Sequence, residues 1–312
     1  MVAVFAGATS GIGMGTLKAF VKYANAPKAY IIGRSKLAAG PLVNGLRLSN
    51  PSATLCFLEG EISLIREVDR LCDEVKRKEE KVDFALLSAG CLSFDGQIES
   101  SEGIDIPHSL RYYSRLRFAY DLLPLLQAAP NPRVISILAG GREKSIDLND
   151  LEVKQNFSTI KAAGNGTTQT TLAFEELAKS NPRISFIHKY PGFVDTGAVG
   201  RLMSSTTGIY AIPATFFRLM ILPVLNLFAM SVEEASERGL FLATSARYLP
   251  AETREGGVSG VELPARVEIA RSSVVNENGR SNGVYRLKAD DGSTPDGDVL
   301  PGYREKHAGK IV

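Results

Sequence analysis

The stretch GATSGIG, Gly7 to Gly13, is the first part of the chain whose residue types and spacing bear on chemistry. It follows an apolar run directly and opens the helical pattern IGMGTLKAFVKY. Gly7, Gly11 and Gly13 let the backbone turn tightly and approach a pyrophosphate, which rests on a helix N-terminus where amide hydrogens point outward. Thr9, Ser10 and Ile12 complete the loop. A glycine triplet alone is a weak signal, but between a strand and a helix it points to a dinucleotide. The end of the second strand selects among dinucleotides. A carboxylate there grips a ribose 2′-hydroxyl, whereas this chain has IIGRSK, with Arg34, Ser35 and Lys36. Their charge and hydroxyl suit a 2′-phosphate, so NADP(H) is the expected cofactor, with solvated surface charge as the competing explanation.

The elements that must position this loop are short apolar runs alternating with helical patterns. The runs are Val2–Gly7, Ala29–Gly33, Thr54–Glu59, Val82–Ser88, Arg133–Leu138 and Arg183–Tyr190. They are apolar at consecutive positions, as parallel strands covered on both faces are. Helical stretches lie between them. In EISLIREVDRLCDEVKRKEEK, for instance, Leu64, Val68, Leu71 and Val75 share one face. The alternation predicts an α/β fold with a doubly wound, Rossmann-like parallel sheet and right-handed crossovers. After Tyr190 the alternation stops. Residues 197–231 read as an apolar lid, and SVEEASERGLFLATSARYL as a helix capped by Ser231. The tail from about Val258 is rich in Gly, Asn, Asp and Ser, with GVYRLK as an edge strand. One domain over 1–312 is expected: a cofactor-binding core (1–196), the lid (197–231) and a C-terminal helix with an extension (232–312).

Composition narrows the partners. The chain has 312 residues, 44% of them apolar and 22% charged, which is ordinary for a folded globular protein. A net charge of +2 gives no basic field that would argue for nucleic acid. Cys56, Cys72 and Cys91 have no metal-like spacing, so no metal is expected; reduced thiols and a cytoplasmic location are the simplest reading. No secretory signal is visible at the N-terminus. The apolar segment Gly208–Ser231 is long enough to span a bilayer, but Pro213, Arg218 and Pro223 interrupt it. A lid over an apolar pocket is the first reading, and a peripheral membrane contact through 208–231 is the alternative.

With GATSGIG, the SAG of Ser88–Gly90 and PGFVDT in order after the first, fourth and sixth runs, residues 2–200 resemble the short-chain dehydrogenase/reductase family. The region DLNDLEVKQNFSTIKAAGNGTTQTTLAFEELA is similar to its retinol-dehydrogenase-like branch. LRYYSRLRFAYDLLPLL and YPGFVDTG are similar to fungal members from secondary-metabolite gene clusters, which usually continue a little beyond both ends. The resemblance implies that Gly7, Ser10, Gly11, Ile12 and Gly13 hold the pyrophosphate, while Arg34 and Ser35 take the 2′-phosphate. It places Glu61 and Ile62 beside the adenine, and Ala89 and Gly90 behind the adenosine half, with Ser88 where the family has Asn. Pro191, Gly192, Val194 and Thr196 would orient the nicotinamide carboxamide. It also implies pairing into homo-oligomers.

The proton-transfer half departs from that family. Its members use a Ser, a Tyr and a Lys, with an Asn on the preceding helix. Here the serine position falls on Ala139 and the Asn position near Arg111. Two registers cover the Tyr-x-x-x-Lys motif: Phe157 with Lys161 retained, or Ala163 with Thr167. The second keeps the helix phase and is preferred, and neither contains a tyrosine. Loss of a positioned general acid removes about 10²–10⁴-fold in rate, so another group must serve. Tyr190, Lys161, Arg142, Glu143 and Arg111 are the candidates, with His188, Lys189, Asp195, Tyr112 and Tyr113 close by in sequence. Two functions follow: an NADP(H)-dependent oxidoreductase acting on an apolar polyketide- or terpenoid-type metabolite, or a redox-neutral cyclase, isomerase or dehydratase on the same scaffold. A non-catalytic cofactor sensor is a third.

Overall fold

In a computed structural model, residues 1–91, 96–155, 157–205, 211–226, 229–253, 260–275, 281–295, 297 and 299–306 are described. Parts of the lid (206–210, 227–228) and of the C-terminal extension (254–259, 276–280, 296, 298 and 307–312) lie outside them. Seven strands build one sheet, and every neighbouring pair is parallel. They are β1 (Val2–Ala6), β2 (Lys28–Gly33), β3 (Thr54–Glu59), β4 (Phe84–Leu87), β5 (Arg133–Ile137), β6 (Ser185–Lys189) and β7 (Val284–Leu287), in the order β3-β2-β1-β4-β5-β6-β7. The order reverses between β1 and β4, which makes a crevice at the carboxyl ends of those strands.

Side chains alternate between two buried layers. Phe5, Phe84, Ile135 and Ile187 face α1 (Gly11–Tyr23), α2 (Lys36–Ser49) and α11 (Val232–Thr244). Val4, Ala85, Val134 and Phe186 face α3 (Ile65–Lys76), the run 106–126 and α7 (Thr159–Ser180). The run 106–126 comprises α4 (Ile106–His108), a π turn (Ser109–Tyr113), α5 (Ser114–Asp121) and α6 (Leu123–Ala128). Phe5, Phe20 and Phe84 lock α1 onto the sheet, with ring centroids 5.2–5.8 Å apart.

Several local features matter for the site. The first half of α7 is rich in Gly and Thr, which are weak helix formers. It stays helical because tertiary packing covers it, and its buried hydroxyls are satisfied within the helix, Thr167 Oγ1 donating to the Ala163 carbonyl at 2.8 Å and Thr170 Oγ1 to that of Gly166 at 2.7 Å. Helix α11 starts where Ser231 Oγ accepts from the Glu234 amide at 3.0 Å. It ends at Thr244 rather than running on through Tyr248, because the buried Arg133 guanidinium caps its carbonyl end at Leu242 and Ser245. The lid divides into α8 (Ala198–Ser205), α9 (Ala211–Phe216), a π turn (Phe217–Ile221) and α10 (Leu222–Asn226). The GVYRLK segment is indeed a strand, and it extends the parallel sheet past the point where alternation seemed to stop. All four residues of β7 are buried although it is the last strand of the sheet. Finally, α12 (Val299–Lys306) is fastened to α7 by a two-pronged contact from Arg304 to Glu175, both bonds 2.7 Å.

Candidate active site

The glycine loop is shaped by what packs on it. Gly7 and Gly11 have φ of +93° and +57°, which side-chain-bearing residues avoid. A Cβ on Gly7 would overlap the backbone of Ala89, and one on Gly13 the Ser88 hydroxyl. Ser88 Oγ donates to the Gly7 carbonyl at 3.2 Å, so the segment after β4 is tied to the loop. Ser10 occupies the N-cap of α1 without a side-chain capping bond, leaving the first amides of the helix to an outside acceptor. A Cβ on Gly11 would lie 3.3 Å from Thr196, so the Pro191–Thr196 loop comes up against the glycine loop. Among the described residues, nothing lies within 4 Å of where a Cβ on Gly90 would be. These features fit a dinucleotide laid across the carboxyl ends of β1 and β4.

At the start of α2, Arg34, Ser35 and Lys36 are exposed. Ser35 is also the helix cap, its Oγ accepting from the Ala38 amide at 3.2 Å. The end of β2 carries no carboxylate, as expected, but one reaches it from the neighbouring strand. Glu59 ends β3 opposite Gly33, and its Oε2 accepts from the Lys36 amide at 2.9 Å. After β3, Glu61 accepts from the Ser63 amide and Ile62 is buried.

The structure sorts the proton-transfer candidates. Phe157 precedes α7 and Lys161 is exposed on its first turn. Ala163 and Thr167 share the helix face of Phe174, which stacks on Phe186 of β6 at 5.4 Å, so that face turns to the sheet. Glu143 is engaged at both oxygens. One accepts from Thr171 Oγ1 at 2.7 Å and from the Gly141 amide at 3.1 Å, and the other pairs with Arg286 at 3.2 Å. His188 is fully buried, with Nδ1 2.9 Å from Thr171 Oγ1 and Nε2 accepting from the Ala139 amide at 3.3 Å; burial pushes its pKa down to about 4. Lys189 faces the opposite layer. It pairs with Asp291, which Arg238 also holds, and burial lowers its pKa. Tyr190 follows β6 directly, with the Arg142 guanidinium 4.7 Å above its ring. The Tyr190 hydroxyl has no hydrogen-bond partner among the described residues. Asp195 is exposed.

On the π turn, Arg111 is buried and burial lowers its pKa. One turn further along, Arg115 is buried entirely. Its guanidinium donates to the carbonyls of Leu87 (2.7 Å), Ala89 (2.6 Å) and Ile137 (3.0 Å), and so ties the ends of β4 and β5 together. The lid offers an apolar surface: Ile212, Thr215, Phe216, Leu219 and Met220 line an open groove. No helix among the described residues is long and apolar enough to cross a membrane.

No family model matches the chain. Relatives do. It is 39% identical to an oxidoreductase of Emericella nidulans over 313 residues, covering 100% of this chain and 90% of that protein. It is 30% identical to a short-chain dehydrogenase/reductase of Stachybotrys chartarum over 269 residues, covering 78% and 73%. The chain belongs to the short-chain dehydrogenase/reductase family. Solved structures share the fold. A short-chain dehydrogenase of Shigella flexneri complexed with NADP aligns with a TM-score of 0.58 at 13% identity, over 93% of this chain and 96% of that one. An NADPH-bound short-chain oxidoreductase of Pseudomonas aeruginosa, described as containing an atypical catalytic center, aligns at 0.56 and 16% over 78% and 90%.

As a member of this family, the chain is an enzyme of the oxidoreductase class. Three residues that sequence reasoning passed over belong to the site region: Glu59, Arg115 and His108. Glu59 could have been found from the parallel register of β2 and β3. Arg115 stands four residues after Arg111 and His108 three before it, the spacing of one helix face, and that signal was there to read.

Proposed function

We propose that the chain is an NADP(H)-dependent oxidoreductase that interconverts a ketone and an alcohol on an apolar secondary metabolite, with the Tyr190 hydroxyl handling the proton. The observation that carries this reading is the placement of Tyr190. It is a half-buried phenol without a hydrogen-bond partner among the described residues, immediately after β6 and beneath the Arg142 guanidinium. It also leads directly into the Pro191–Thr196 loop that meets the glycine loop.

Gly7–Gly13 would hold the pyrophosphate, Arg34 and Lys36 the 2′-phosphate, and Pro191–Thr196 the nicotinamide end. The cofactor, when bound, gives or takes the hydride. Tyr190 delivers the proton to the carbonyl oxygen, and the Arg142 cation over its ring favours the negative charge left on the phenol oxygen. Arg115 keeps the ends of β4 and β5 at a fixed spacing while this happens. Glu143 and His188 serve as a buried brace between β5, β6, α7 and β7. The NADP- and NADPH-bound fold neighbours support the choice of cofactor, and the lid's apolar residues support the choice of substrate.

The test is transfer of label from 4-deuterated NADPH into the alcohols formed from a panel of bulky aryl and alicyclic ketones. Deuterium in the product, with Tyr190→Phe slowing turnover by about 10²–10⁴-fold at unchanged NADPH affinity, is the expected outcome. Turnover of a cluster-matched intermediate without label would establish redox-neutral chemistry instead, and an unimpaired Tyr190→Phe would exclude Tyr190.

A further inference from the structure

Arg111 and His108 make a second feature beside this site that the proton-transfer scheme leaves unused. Both project from the helical run toward α7 at Gly166. A Cβ at Gly166 would lie 3.3 Å from Arg111 Cβ and 3.8 Å from His108 Nδ1, so the glycine lets both side chains close onto α7 side by side. Arg111 is only 8% exposed, yet among the described residues its guanidinium has no ion pair and no hydrogen bond. The second guanidinium, Arg115, is satisfied by neutral carbonyls and adds positive charge without a counter-ion. His108 is 1% exposed, and among the described residues neither ring nitrogen has a hydrogen-bond partner. Its ring lies against Tyr113, centroids 5.4 Å apart.

Among the described residues, the neighbouring carboxylates form their hydrogen bonds elsewhere. Asp105 caps the helical run, its oxygens accepting from the Ile98 and His108 amides, each at 3.0 Å. Glu152 is bound by Lys154 at 2.7 Å and by the Tyr113 hydroxyl at 3.1 Å. A buried cation without a partner is costly, and so is a buried ring with two idle nitrogens. Both costs are relieved by one kind of ligand: an oxyanion that takes a charge-assisted bond from Arg111 and a hydrogen bond from the imidazole.

The geometry points to a subsite for an acidic oxygen, formed by Arg111 and His108 at Gly166. The substrate of this enzyme would therefore carry a carboxylate, phenolate or stabilised enolate on an apolar frame, apart from the carbonyl or alcohol that reacts. This inference rests on the function proposed above and specifies its substrate class.

The test uses the protein saturated with NADP⁺ and two probes of one shape, 2-naphthoate and 2-naphthamide, titrated calorimetrically. Naphthoate should bind at least about 10-fold more tightly than naphthamide, the worth of one charge-assisted hydrogen bond. Arg111→Met should erase that preference, Arg111→Lys should keep part of it, and His108→Gln should weaken it, all with NADP⁺ affinity within about twofold. Thermal melts check that each variant is folded. If Arg111→Met does not fold, the wild-type preference together with Arg111→Lys and His108→Gln decides. Equal binding of the two probes, no binding of either at millimolar concentration, or a full preference surviving in the folded Arg111 and His108 variants overturns the subsite. Failure to bind NADP⁺ at all would instead overturn the function on which it rests.

Discussion

Arg34 and Lys36 on one side and Glu59 on the other pull in opposite directions on any anion that settles at the start of α2. The carboxylate already accepts from the Lys36 amide, the kind of donor a phosphate would use. Arg34→Ala is expected to weaken NADPH binding by roughly 10-fold or more, the scale of one charge-assisted bond, while leaving NADH nearly unchanged. Glu59→Gln is expected to act the other way and tighten NADPH by a few-fold, since it removes a like charge beside the 2′-phosphate. Fluorescence titration of both cofactors reads both changes, and a Glu59→Gln variant that favours NADH would refute the assignment. At this scale the cofactor loop was legible because its chemistry is local: glycines, a strand before them and a helix after. Glu59 was not, because it reaches Lys36 across a strand register. Nor does residue type reveal that Glu143 and His188 spend their polar atoms on Thr171, Arg286 and the Ala139 amide, while the Tyr190 hydroxyl has no hydrogen-bond partner among the described residues.

Among the elements, the contact between α1 and α11 is the tightest that bears on the site. It is made through small residues: a Cβ on Gly239 would overlap Thr16, and one on Gly15 would overlap Ser236. Helix α11 follows the lid, and α1 begins in the glycine loop, so this crossing holds the two at a set distance. Gly239→Leu is expected to push the helices apart at a cost of about 1–3 kcal/mol and to weaken NADPH binding as well. A melting curve with a cofactor titration checks this; lost stability with unaltered cofactor affinity would show that the crossing does not shape the loop. Apolar runs and caps made most of these elements readable, including the Ser231 start of α11. Their ends were less so. The helix stops at Thr244 because a side chain from β5 caps it, and the polar residues of α7 stay helical because tertiary packing covers them. The same helix bears on the two Tyr-x-x-x-Lys registers, of which helix phase favours Ala163 with Thr167. Only the fold reveals that 163 and 167 turn to the sheet while 161 turns to solvent.

For the molecule as a whole, buried histidines couple stability to pH. Burial holds both His108 and His188 down to about 4, against an ordinary value of 6.5. The unfolded chain therefore binds protons between about pH 6.5 and 4 that the folded chain refuses. Stability is full above the upper value and is lost as pH falls toward the lower one. Around His188 the charged groups are Glu143, Arg115 and Arg286, and around His108 they are Arg111, Asp105 and Glu152. The melting temperature is expected to drop by roughly 5–10 °C between pH 7 and 5, with His108→Gln removing part of the slope. A flat profile over that interval would show that these rings protonate in the folded state.

The doubly wound plan was readable across the first six strands because each is a dense apolar run. The seventh, β7, lies beyond a long stretch with little periodicity, and its place beside β6 depends on pairing across nearly a hundred residues. That separation has a consequence for how the chain is made. A ribosome releases β6 well before Val284–Leu287 emerge, and until then the wholly buried residues of Ser185–Lys189 form an open edge. The newborn protein thus passes through an interval in which its sheet is one strand short and adhesive. Its yield in a host cell should depend on how quickly that interval ends, or on a chaperone that shields the edge until it does.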